Sequence, residues 1–370
     1  MIPCTFFRSS SITEYTNCPL RYFANHCLGI KYPAGPAALS GTIFHKIMEI
    51  LAQCKISQQE KLRLSQQWGL YYDVETQLSF SFPDISTIDV EKLTENVYEF
   101  YIKQIDPSRV PKTYQRKTPE ASVRAWIPFK KVKESVDNVM SMSPRSFDPR
   151  LMDIVAVEQK FDVEIKEPWA RYDFVFRGKR YSGQLRLKGS IDLIIRNDDG
   201  TMSIIDWKSG KSENMNTGEK KTYEDYAQDL QMAMYYMVTR RYLNMDVSDV
   251  TLCFLNEREC YTLHFDEDMV LDKIKSIYEE MQTSTRPSKI DSDFCMRFCP
   301  YSKNDFSTIT TKPLVKPREY TWTNEVGINE NRVYRMCGQI NNYFTSGYLP
   351  LQVMEAIARK DFDLEAYINT

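Results

Sequence analysis

The feature that most limits how this chain can fold is a short polar turn between two strongly apolar segments, each of which carries one aspartate. The turn is Asn197–Gly200, with the sequence Asn-Asp-Asp-Gly, and it separates the β-branched runs Ser190–Arg196 and Met202–Lys208. Such a turn between apolar runs predicts an antiparallel hairpin. If the turn centres near residue 199, paired residues have numbers that sum to about 398. Asp192 is therefore predicted to face Asp206.

The two aspartates and a nearby lysine give this hairpin a chemical character. Because side chains alternate along a strand, Asp206 and Lys208 project to one face, whereas Ile205 and Trp207 project to the other, packed face. Two facing carboxylates repel each other unless a divalent cation lies between them, and oxygen ligands favour Mg²⁺ or Mn²⁺. Such an ion activates water and polarises a phosphoryl oxygen, which predicts phosphodiester hydrolysis. The alternative is a solvated hairpin with surface charges, which the apolar surroundings of both aspartates disfavour.

The segments around the hairpin predict an α/β fold. Further strands are predicted at Ile154–Glu158, Tyr172–Phe176 and Val250–Leu255, and a helix at about Thr222–Tyr242 precedes the last of them. A mostly helical stretch comes before these strands, up to about residue 148, and helical texture returns after residue 286. This order predicts a central mixed β-sheet flanked by helices, with a helical insertion and a C-terminal helical extension.

Two predicted helices carry polar stripes that add candidate site residues. The first is predicted to begin at Gly41 with Ser40 as its N-cap, so that His45 and Glu49 share a face with Gly41. His45 is a candidate ligand for a metal or a phosphate, although a single histidine on a helix is more often structural. On the later helix the stripe consists of Gln228, Gln231 and Tyr235. A phosphate or the hairpin carboxylates would satisfy these groups, and packing at the rim of the sheet is the alternative.

The composition excludes several other classes of protein. The chain has 370 residues and a formal net charge of −2, with 48 Lys and Arg against 50 Asp and Glu. It is long enough to form a proper core, and its charge gives no global reason to bind nucleic acid. It lacks the run of about 18 apolar residues that a membrane span requires, and Met1–Ser11 does not resemble a secretory signal. We therefore expect a cytoplasmic protein in a reducing compartment, with its nine cysteines unpaired or bound to metal.

Four short patterns follow one another along the chain: Gly41-x-x-x-His45, Gly189-x-x-Asp192, Asp206-Trp-Lys208-Ser-Gly210 and Gln231-x-x-x-Tyr235. In this order they resemble the motifs of the PD-(D/E)XK nuclease superfamily in its RecB-like branch. This branch includes the nuclease domains of bacterial recombination helicase-nucleases, the CRISPR adaptation nuclease and mitochondrial genome-maintenance exonucleases. The resemblance implies a restriction-endonuclease-like core. Four motifs in the right order are far more specific than any one of them.

The resemblance also implies a role for each matching residue. The implied metal ligands are His45, Asp192, Asp206 and, as an upstream acid found in some relatives, Glu158. Lys208 is the implied catalytic lysine, and Gln231 and Tyr235 are implied supports on the substrate side. The implied activity is that of an Mg²⁺- or Mn²⁺-dependent deoxyribonuclease. We expect an exonuclease that acts at DNA ends in recombination, repair or replication.

The N-terminal segment Ser9–Phe23 resembles the opening segment of family members in which a cysteine is the first ligand of an iron–sulfur cluster. The matching residue is Cys18, and Cys295 and Cys299 would supply two later thiolates, but Asp305 stands where a last cysteine would fall. A [4Fe–4S] cluster normally takes four ligands. The remaining alternatives are a fourth ligand from Asp305, Cys27 or Cys337, a Zn²⁺ ion, or a lost cluster whose thiols are buried as small hydrophobes.

A basic tract in the helical stretch is the predicted DNA-binding region. Residues 109–134 hold eight Lys and Arg and two Glu, interleaved with aromatic residues. This mixture suits neutralisation of the backbone and stacking of bases on a single strand. The candidate residues are Arg116, Lys117, Arg124, Trp126, Lys130 and Lys131. A solvated basic surface is the default alternative for any charged run.

We expect four consecutive parts in the chain. They are an N-terminal cysteine-containing segment (1–40), the first core helix with a helical, basic insertion (41–150), the nuclease core (151–285), and a C-terminal cysteine pair with a helical extension (286–370). The extension is a candidate surface for a recombination or annealing partner. Two alternatives stand beside the exonuclease. One is a catalytically silent DNA-binding or scaffold subunit, disfavoured because no catalytic acid or lysine is missing, and the other is a CRISPR-type adaptation nuclease.

Overall fold

The apolar runs after residue 150 form most of a central β-sheet. A computed structural model describes residues 2–28, 34–142, 147–176, 178–213, 219–288 and 299. Its strands are β1 (Phe6–Arg8), β2 (Gly69–Tyr72), β3 (Ser79–Phe82), β4 (Asp153–Glu164), β5 (Arg171–Phe176), β6 (Lys179–Gln184), β7 (Arg186–Arg196), β8 (Met202–Lys208), β9 (Val247–Phe254) and β10 (Glu259–Leu263). Among the described residues, β2–β3 and β5–β6 form separate hairpins, and the other strands form one mixed sheet.

The helices lie before, between and after these strands. They are α1 (Ser9–Asn17), α2 (Pro19–Tyr22), α3 (Pro36–Arg63), α4 (Val90–Gln104), α5 (Pro119–Trp126), α6 (Phe129–Ser141), α7 (Tyr223–Ala227), α8 (Leu230–Arg241) and α9 (Glu267–Thr283). A short π-helix spans Phe23–Cys27, and 3₁₀ turns span Ile85–Thr87, Pro107–Arg109, Lys112–Tyr114, Pro149–Leu151 and Pro168–Ala170. The predicted C-terminal extension lies outside the described residues.

Strand β7 is the centre of the sheet because it pairs with three other strands, β1, β4 and β8. On one edge it pairs antiparallel with β4 along its whole length. On the other edge, β1 pairs parallel with the first part of β7, and β8 pairs antiparallel with the last part. The registered pairs on this second edge stop at Lys188 and resume at Leu193. The sheet therefore opens between β1 and β8, just where Asp192 lies.

The predicted fold class is confirmed: a mixed sheet lies between two layers of helices. Side chains alternate between two cores, with Ile194 and Ile204 in one, and Leu193 and Ile205 in the other. Helices α1, α8 and α9 contribute to the first core, and α3, α4 and α6 contribute to the second. Each fully buried aliphatic side chain contributes about 1.5–3 kcal/mol. Both faces of the hairpin are thus packed, including the face of Asp206, which was expected to be the open one.

The predicted start of the first long helix is wrong. Helix α3 begins at Pro36, with Gly35 as its N-cap, and Ser40 lies inside it. Proline is favoured in the first turn of a helix because its fixed φ suits the helix and its missing N–H would have no partner there. The helix therefore begins before the predicted N-cap, Ser40.

Two other elements differ from the prediction. The helix expected at Thr222–Tyr242 is broken into α7 and α8, because the Asp229 carboxylate accepts hydrogen bonds from the amides of Gln231 and Met232, at 2.9 and 3.2 Å, and starts a new helix. Gln228 is the C-cap of α7 and so lies outside α8. The helical stretch before the sheet also contains the β2–β3 hairpin, which the prediction omitted.

Gly189 in β7 is expected to tolerate no side chain. A Cβ atom at this position would lie 2.5 Å from the ring of Phe161, which is itself buried and packs edge-on against Tyr235. We expect Gly189→Ala to destabilise the protein by about 1–3 kcal/mol, as overpacking of a core does. Urea denaturation measures the change. Gly210→Ala is the control, because a Cβ atom there meets nothing within 4 Å. Equal stability of both variants would contradict this prediction.

Candidate active site

Three acidic side chains form a row across three neighbouring strands. The pairs on both sides of Glu158 in β4 place it opposite Asp192 in β7. The register of the β7–β8 hairpin, continued by one pair beyond Leu193 and Ile205, places Asp192 opposite Asp206. Paired residues of this hairpin have numbers that sum to 398, as predicted. The carboxylates therefore meet at the opening between β1 and β8.

Glu158 reaches this row through an unusual backbone conformation. Its φ is +46°, in the left-handed region that favours glycine, and strand β4 carries a register irregularity shortly before it. A non-glycine residue there costs on the order of 1–3 kcal/mol and persists only where the surrounding structure imposes it. The Ser190 hydroxyl donates a hydrogen bond to Glu158 Oε2 at 2.9 Å and helps to fix the carboxylate. The strained backbone and the hydrogen bond from Ser190 together hold the Glu158 carboxylate in the row.

Asp192 is held at the opening by a backbone amide and a histidine. The Trp207 N–H donates to Asp192 Oδ2 at 3.1 Å, and His45 Nδ1 lies 3.4 Å from the same oxygen. Gly41 lies one helical turn before His45 and allows α3 to approach the end of β8 closely enough for His45 to reach Asp192. A Cβ atom at Gly41 would lie 3.0 Å from Ser209 Oγ, so a larger residue would push the helix away from the end of β8.

The surroundings of the site raise the pKa of two of its carboxyl groups. Burial, followed by the charge of Asp206, raises the pKa of Asp192 well above its usual value, and the charge of Glu158 adds to this. Burial is also the main reason that the pKa of Glu158 is raised. Burial lowers the pKa of His45, despite the nearby carboxylates. The imidazole is therefore neutral near pH 7 and keeps a nitrogen lone pair for a ligand.

Lys208 is the positive charge of the site. Its Nζ lies 2.7 Å from Asp206 Oδ2, and Asp206 is only 1% exposed. Burial opposes the charge on Lys208, but the carboxylates of Asp206 and Asp192 outweigh it and raise the pKa of the lysine above its usual value. Lys208 therefore stays protonated, and its ammonium group is fixed beside the acidic row.

The set of charges and donors fits a divalent cation. With the three acids ionised, Lys208 protonated and His45 neutral, the site carries a net charge of −2, which Mg²⁺ or Mn²⁺ would balance. Among the described residues, the group that brings candidate ligand atoms together is His45, Glu158 and Asp192, whose atoms all lie within 4.8 Å of one another. An octahedral ion at 2.0–2.1 Å holds its ligands about 3–4 Å apart. Small side-chain adjustments would therefore close this group around an ion.

Helix α8 contributes a hydroxyl group to the same site. The Tyr235 hydroxyl accepts a hydrogen bond from Gln231 Nε2 at 2.9 Å and lies 3.2 Å from Ser9 Oγ. Burial, then the charge of Asp206, raises the pKa of Tyr235, so its phenol stays neutral. Ser9 was not among the predicted site residues, although it lies in the N-terminal segment that resembles the family. Gln228, expected on the same stripe, lies outside α8.

A profile of the PD-(D/E)XK nuclease superfamily matches residues 9–303, which include every member of this site. The chain belongs to the PD-(D/E)XK nuclease superfamily. Seventeen chains of solved structures match this nuclease. One of them, titled "Crystal structure of SSO0001", is 13% identical, with a TM-score of 0.24, and the match covers 75% of this chain and 96% of the other. No match to a curated protein was found.

The superfamily supplies the coarse function of this chain. Its members are nucleases that use divalent metal ions, and DNA is the implied substrate. His45, Glu158 and Asp192 form the candidate metal site that such an enzyme requires. In the part of the chain that the structure describes, no helix combines the length and the apolarity needed to cross a bilayer.

The structure corrects part of the predicted DNA-binding tract of this nuclease. Trp126 is only 7% exposed and packs in the core beneath α3, so its ring is not available for base stacking. Arg124 makes a bidentate ion pair with Glu99, at 2.6 Å, and a second pair with Glu120. Glu99 on the neighbouring helix α4 and Glu120 on α5 itself therefore neutralise the charge of Arg124.

The other basic residues of the tract lie at the surface. Arg116, Lys117 and Lys131 are exposed, and Lys130 is exposed beside Glu134, at 3.6 Å. Arg116 also donates to the carbonyl oxygens of Thr113 and Gln115. The lysines keep their charges accessible to a polyanion, and their role in DNA binding remains a prediction.

The predicted cluster ligands fall only partly within the described residues. Cys18 is half-buried against the first core, and Cys299 is 6% exposed within that core. Cys295 lies outside the described residues, as do Asp305 and Cys337. Cys27, a candidate fourth ligand, is buried and donates from Sγ to the carbonyl oxygen of Pro3. Burial raises the pKa of its thiol well above the usual value, which opposes formation of a thiolate ligand.

Proposed function

We propose that this nuclease is a divalent-metal-dependent deoxyribonuclease that hydrolyses phosphodiester bonds at DNA ends. The observation that carries the proposal is the row of Glu158, Asp192 and Asp206, with His45 beside the central Asp192 and Lys208 beside the buried Asp206. Burial and then the charge of Asp206 raise the pKa of Asp192, and a divalent cation among the carboxylates would offset this cost. The donors are oxygen and imidazole nitrogen, which suits Mg²⁺ or Mn²⁺.

The residues divide the work between holding the ion and stabilising charge. His45, Glu158 and Asp192 would hold the metal, with Asp206 as the proposed further ligand. The bound ion supplies an acidified water and a counter-charge for the phosphate oxygens. Lys208, held by Asp206, places a fixed positive charge where negative charge develops on the phosphoryl group. Gln231 and the Tyr235 hydroxyl are proposed to contact the substrate side of the phosphate.

The proposed exonuclease action rests on the resemblance to the RecB-like branch and on the position of the helical insertion. Helices α4, α5 and α6 pack beside α3, which carries His45. An insertion beside the site favours entry of a free DNA end. We place the reaction in recombination, repair or replication, where ends must be processed.

Digestion of end-labelled DNA tests this proposal. We expect Mg²⁺ or Mn²⁺ to support degradation of linear single-stranded or duplex DNA, and EDTA to stop it. Covalently closed circles of the same sequence are expected to resist. Circles that are cut as fast as linear DNA would replace the exonuclease by an endonuclease, and the absence of any cleavage by folded, metal-loaded protein would favour a silent DNA-binding subunit.

Tyr235→Phe is expected to lower the rate of cleavage by about 10- to 100-fold without unfolding the protein. The substitution removes only the hydroxyl group, which is hydrogen-bonded by Gln231 and lies near Ser9. Because that hydroxyl faces the carboxylates, its loss should lower kcat more than it raises KM. Single-turnover cleavage measures the effect. Tyr236→Phe, on the next residue of α8, is the control, and equal rates for the two variants would contradict a role for the Tyr235 hydroxyl.

The cluster of Cys18, Cys295 and Cys299 stays a prediction. Cys18 and Cys299 both contact the first core, which is consistent with a structural link between the two ends of the nuclease. Analysis of iron, sulfide and zinc in anaerobically purified protein checks it. A stoichiometric metal content that is lost in Cys18→Ala is the expected result, and protein free of all three would rule the cluster out.

A further inference from the structure

The β2–β3 hairpin carries large apolar side chains on its solvent face. Leu70 and Tyr72 share the outer face of β2, with exposed fractions of 66% and 54%. Trp68, just before the strand, and Val74, in the turn after it, are also exposed, at 50% and 80%. The residues between them are buried or half-buried. A hairpin with one solvated face normally places polar residues there. Contiguous exposed apolar surface of this kind marks an interaction site.

The hairpin is held firmly against the body of the nuclease, so the orientation of its outer face is fixed. On the inner face the rings of Tyr71 and Phe80 stack at 6.1 Å. The Ser57 hydroxyl on α3 donates to the Leu70 carbonyl oxygen, at 2.7 Å, and accepts from the Leu70 N–H, at 2.9 Å. At the turn, the buried Lys46 pairs with Asp73, at 3.2 Å. A loosely attached loop would not present a constant surface, whereas this hairpin does.

The outer face is complementary to itself. Opposite Leu70 on the neighbouring strand lies Ser81, and opposite Tyr72 lies Ser79. Strand β2 thus forms a ridge of large side chains, and β3 forms a trough of small ones. When two such faces meet around a two-fold axis, the ridge of each copy lies over the trough of the other. An isologous contact of this kind needs only one surface patch.

We propose that the outer face of the β2–β3 hairpin, formed by Trp68, Leu70, Tyr72 and Val74, is the contact between two copies of this nuclease. These four side chains expose roughly 500 Å² of largely apolar surface per copy. A stable interface buries about 800 Å² per partner, so a polar rim would complete the contact.

The charges near the turn favour a protein partner over a nucleic acid. Lys46 Nζ lies 2.8 Å from Glu49 Oε2, 3.2 Å from Asp73 Oδ1 and 3.0 Å from Glu75 Oε2. One ammonium group therefore faces three carboxylates, of which Glu75 is half exposed. The local excess of negative charge would repel a phosphate backbone. A second copy of the chain can cover the apolar face without this penalty.

Sedimentation equilibrium of the full chain tests the proposal. We expect a reversible dimer whose dissociation constant rises by about 10-fold or more in Leu70→Asp and in Tyr72→Asp, because each substitution enters a two-fold contact twice. Ser81→Arg, which fills the trough and removes no apolar residue, is expected to have the same effect. Val175→Asp is the matched control, since Val175 is 66% exposed on the other separate hairpin. Unchanged circular dichroism shows that each variant is folded.

Three results would overturn the proposed contact. One is a wild-type chain that stays monomeric up to about 100 µM, where a specific dimer should form. Another is a dimer that Leu70→Asp and Ser81→Arg leave intact, which would place the contact on a different surface. The third is a loss of affinity for oligonucleotides in Leu70→Asp with no change in self-association, which would assign this face to nucleic acid.

Discussion

Replacing Lys208 by alanine is expected to lower the rate of phosphodiester cleavage by about 10³-fold or more. Lys208 supplies the fixed positive charge of the site, 2.7 Å from Asp206 Oδ2. Asp206→Asn should cause a loss of similar size, because it removes the partner that holds the lysine and a proposed ligand of the metal. Single-turnover cleavage of labelled DNA at saturating Mg²⁺ or Mn²⁺ measures both losses.

The double variant shows whether the two residues act as a unit. We expect Asp206→Asn combined with Lys208→Ala to be little slower than either single variant, since the second change removes an interaction that the first has already destroyed. Lys208→Ala alone also leaves Asp206 buried without its counter-charge, and loss of one partner of a buried pair is strongly destabilising. The double variant should therefore be more stable than Lys208→Ala.

Two controls separate catalysis from binding and folding. Lys211→Ala removes a lysine that lies three residues further along and pairs with Glu213 at the surface, and it should cleave at the wild-type rate. Fluorescence anisotropy should show that Lys208→Ala still binds DNA. If Lys208→Ala and Lys211→Ala cleave equally well, the proposed role of Lys208 is wrong.

The hairpin at the centre of this site could be predicted because residues close together in the sequence determine its structure. The turn Asn197–Gly200 sets the register, and the two flanking strands lie within seventeen residues of Asp192. A fixed register determines which side chains face each other, so Asp192 and Asp206 follow by counting. The helical spacing of His45 is local in the same sense, although the long helix that carries it begins earlier than the capping pattern suggested.

Other parts of the site depend on contacts between distant residues. Glu158 joins the row through a left-handed φ that no local sequence pattern announces. Ser9 reaches the Tyr235 hydroxyl across a separation of 226 residues. The family resemblance singled out the segments that contain these residues, but it did not give their contacts. Such contacts follow from the packing of α1 against α8 and from the pairing of β4 with β7.

The number of charges in a sequence segment predicts its surface charge less well than the charges that surround it in the folded protein. The basic tract appeared strongly positive because its neutralising partners are outside it in sequence. Glu99 lies on α4, and Asp137 follows the tract on α6, where it pairs with Lys133 at 3.3 Å. Trp126 appeared accessible because basic residues surround it in the sequence, but helix α5 turns it into the core. An amphipathic helix places its basic and apolar residues on opposite faces.

Asp192→Asn is expected to abolish cleavage and to make the metal-free protein more stable at neutral pH. Burial and the charge of Asp206 raise the pKa of Asp192 in the folded state well above the usual value of 3.8. Between these two pKa values the folded chain binds more protons than the unfolded chain, so its stability falls as the pH rises. Asparagine carries no charge to repel the other acids, and it can still accept the hydrogen bond from the Trp207 amide.

Thermal unfolding in EDTA, measured from pH 4.5 to pH 8, tests the sign of this effect. The melting temperature of the wild type should fall more steeply with rising pH than that of Asp192→Asn. Asp198→Asn, at an exposed position in the turn of the same hairpin, should follow the wild type. Mn²⁺ should raise the melting temperature of the wild type and of Asp198→Asn, because it binds only their folded states, and should leave Asp192→Asn nearly unchanged.

The two measurements on Asp192→Asn together distinguish a metal site from a structural acid. A structural carboxylate that pairs with His45 would destabilise the protein when lost, and Mn²⁺ would have no effect on either protein. If Asp192 is instead a metal ligand held among like charges, replacing it by asparagine should stabilise the metal-free protein and should also abolish the response to Mn²⁺. Because the repulsion that lowers stability is also what attracts the cation, the stability of the empty site and the activity of the loaded one are expected to change in opposite directions.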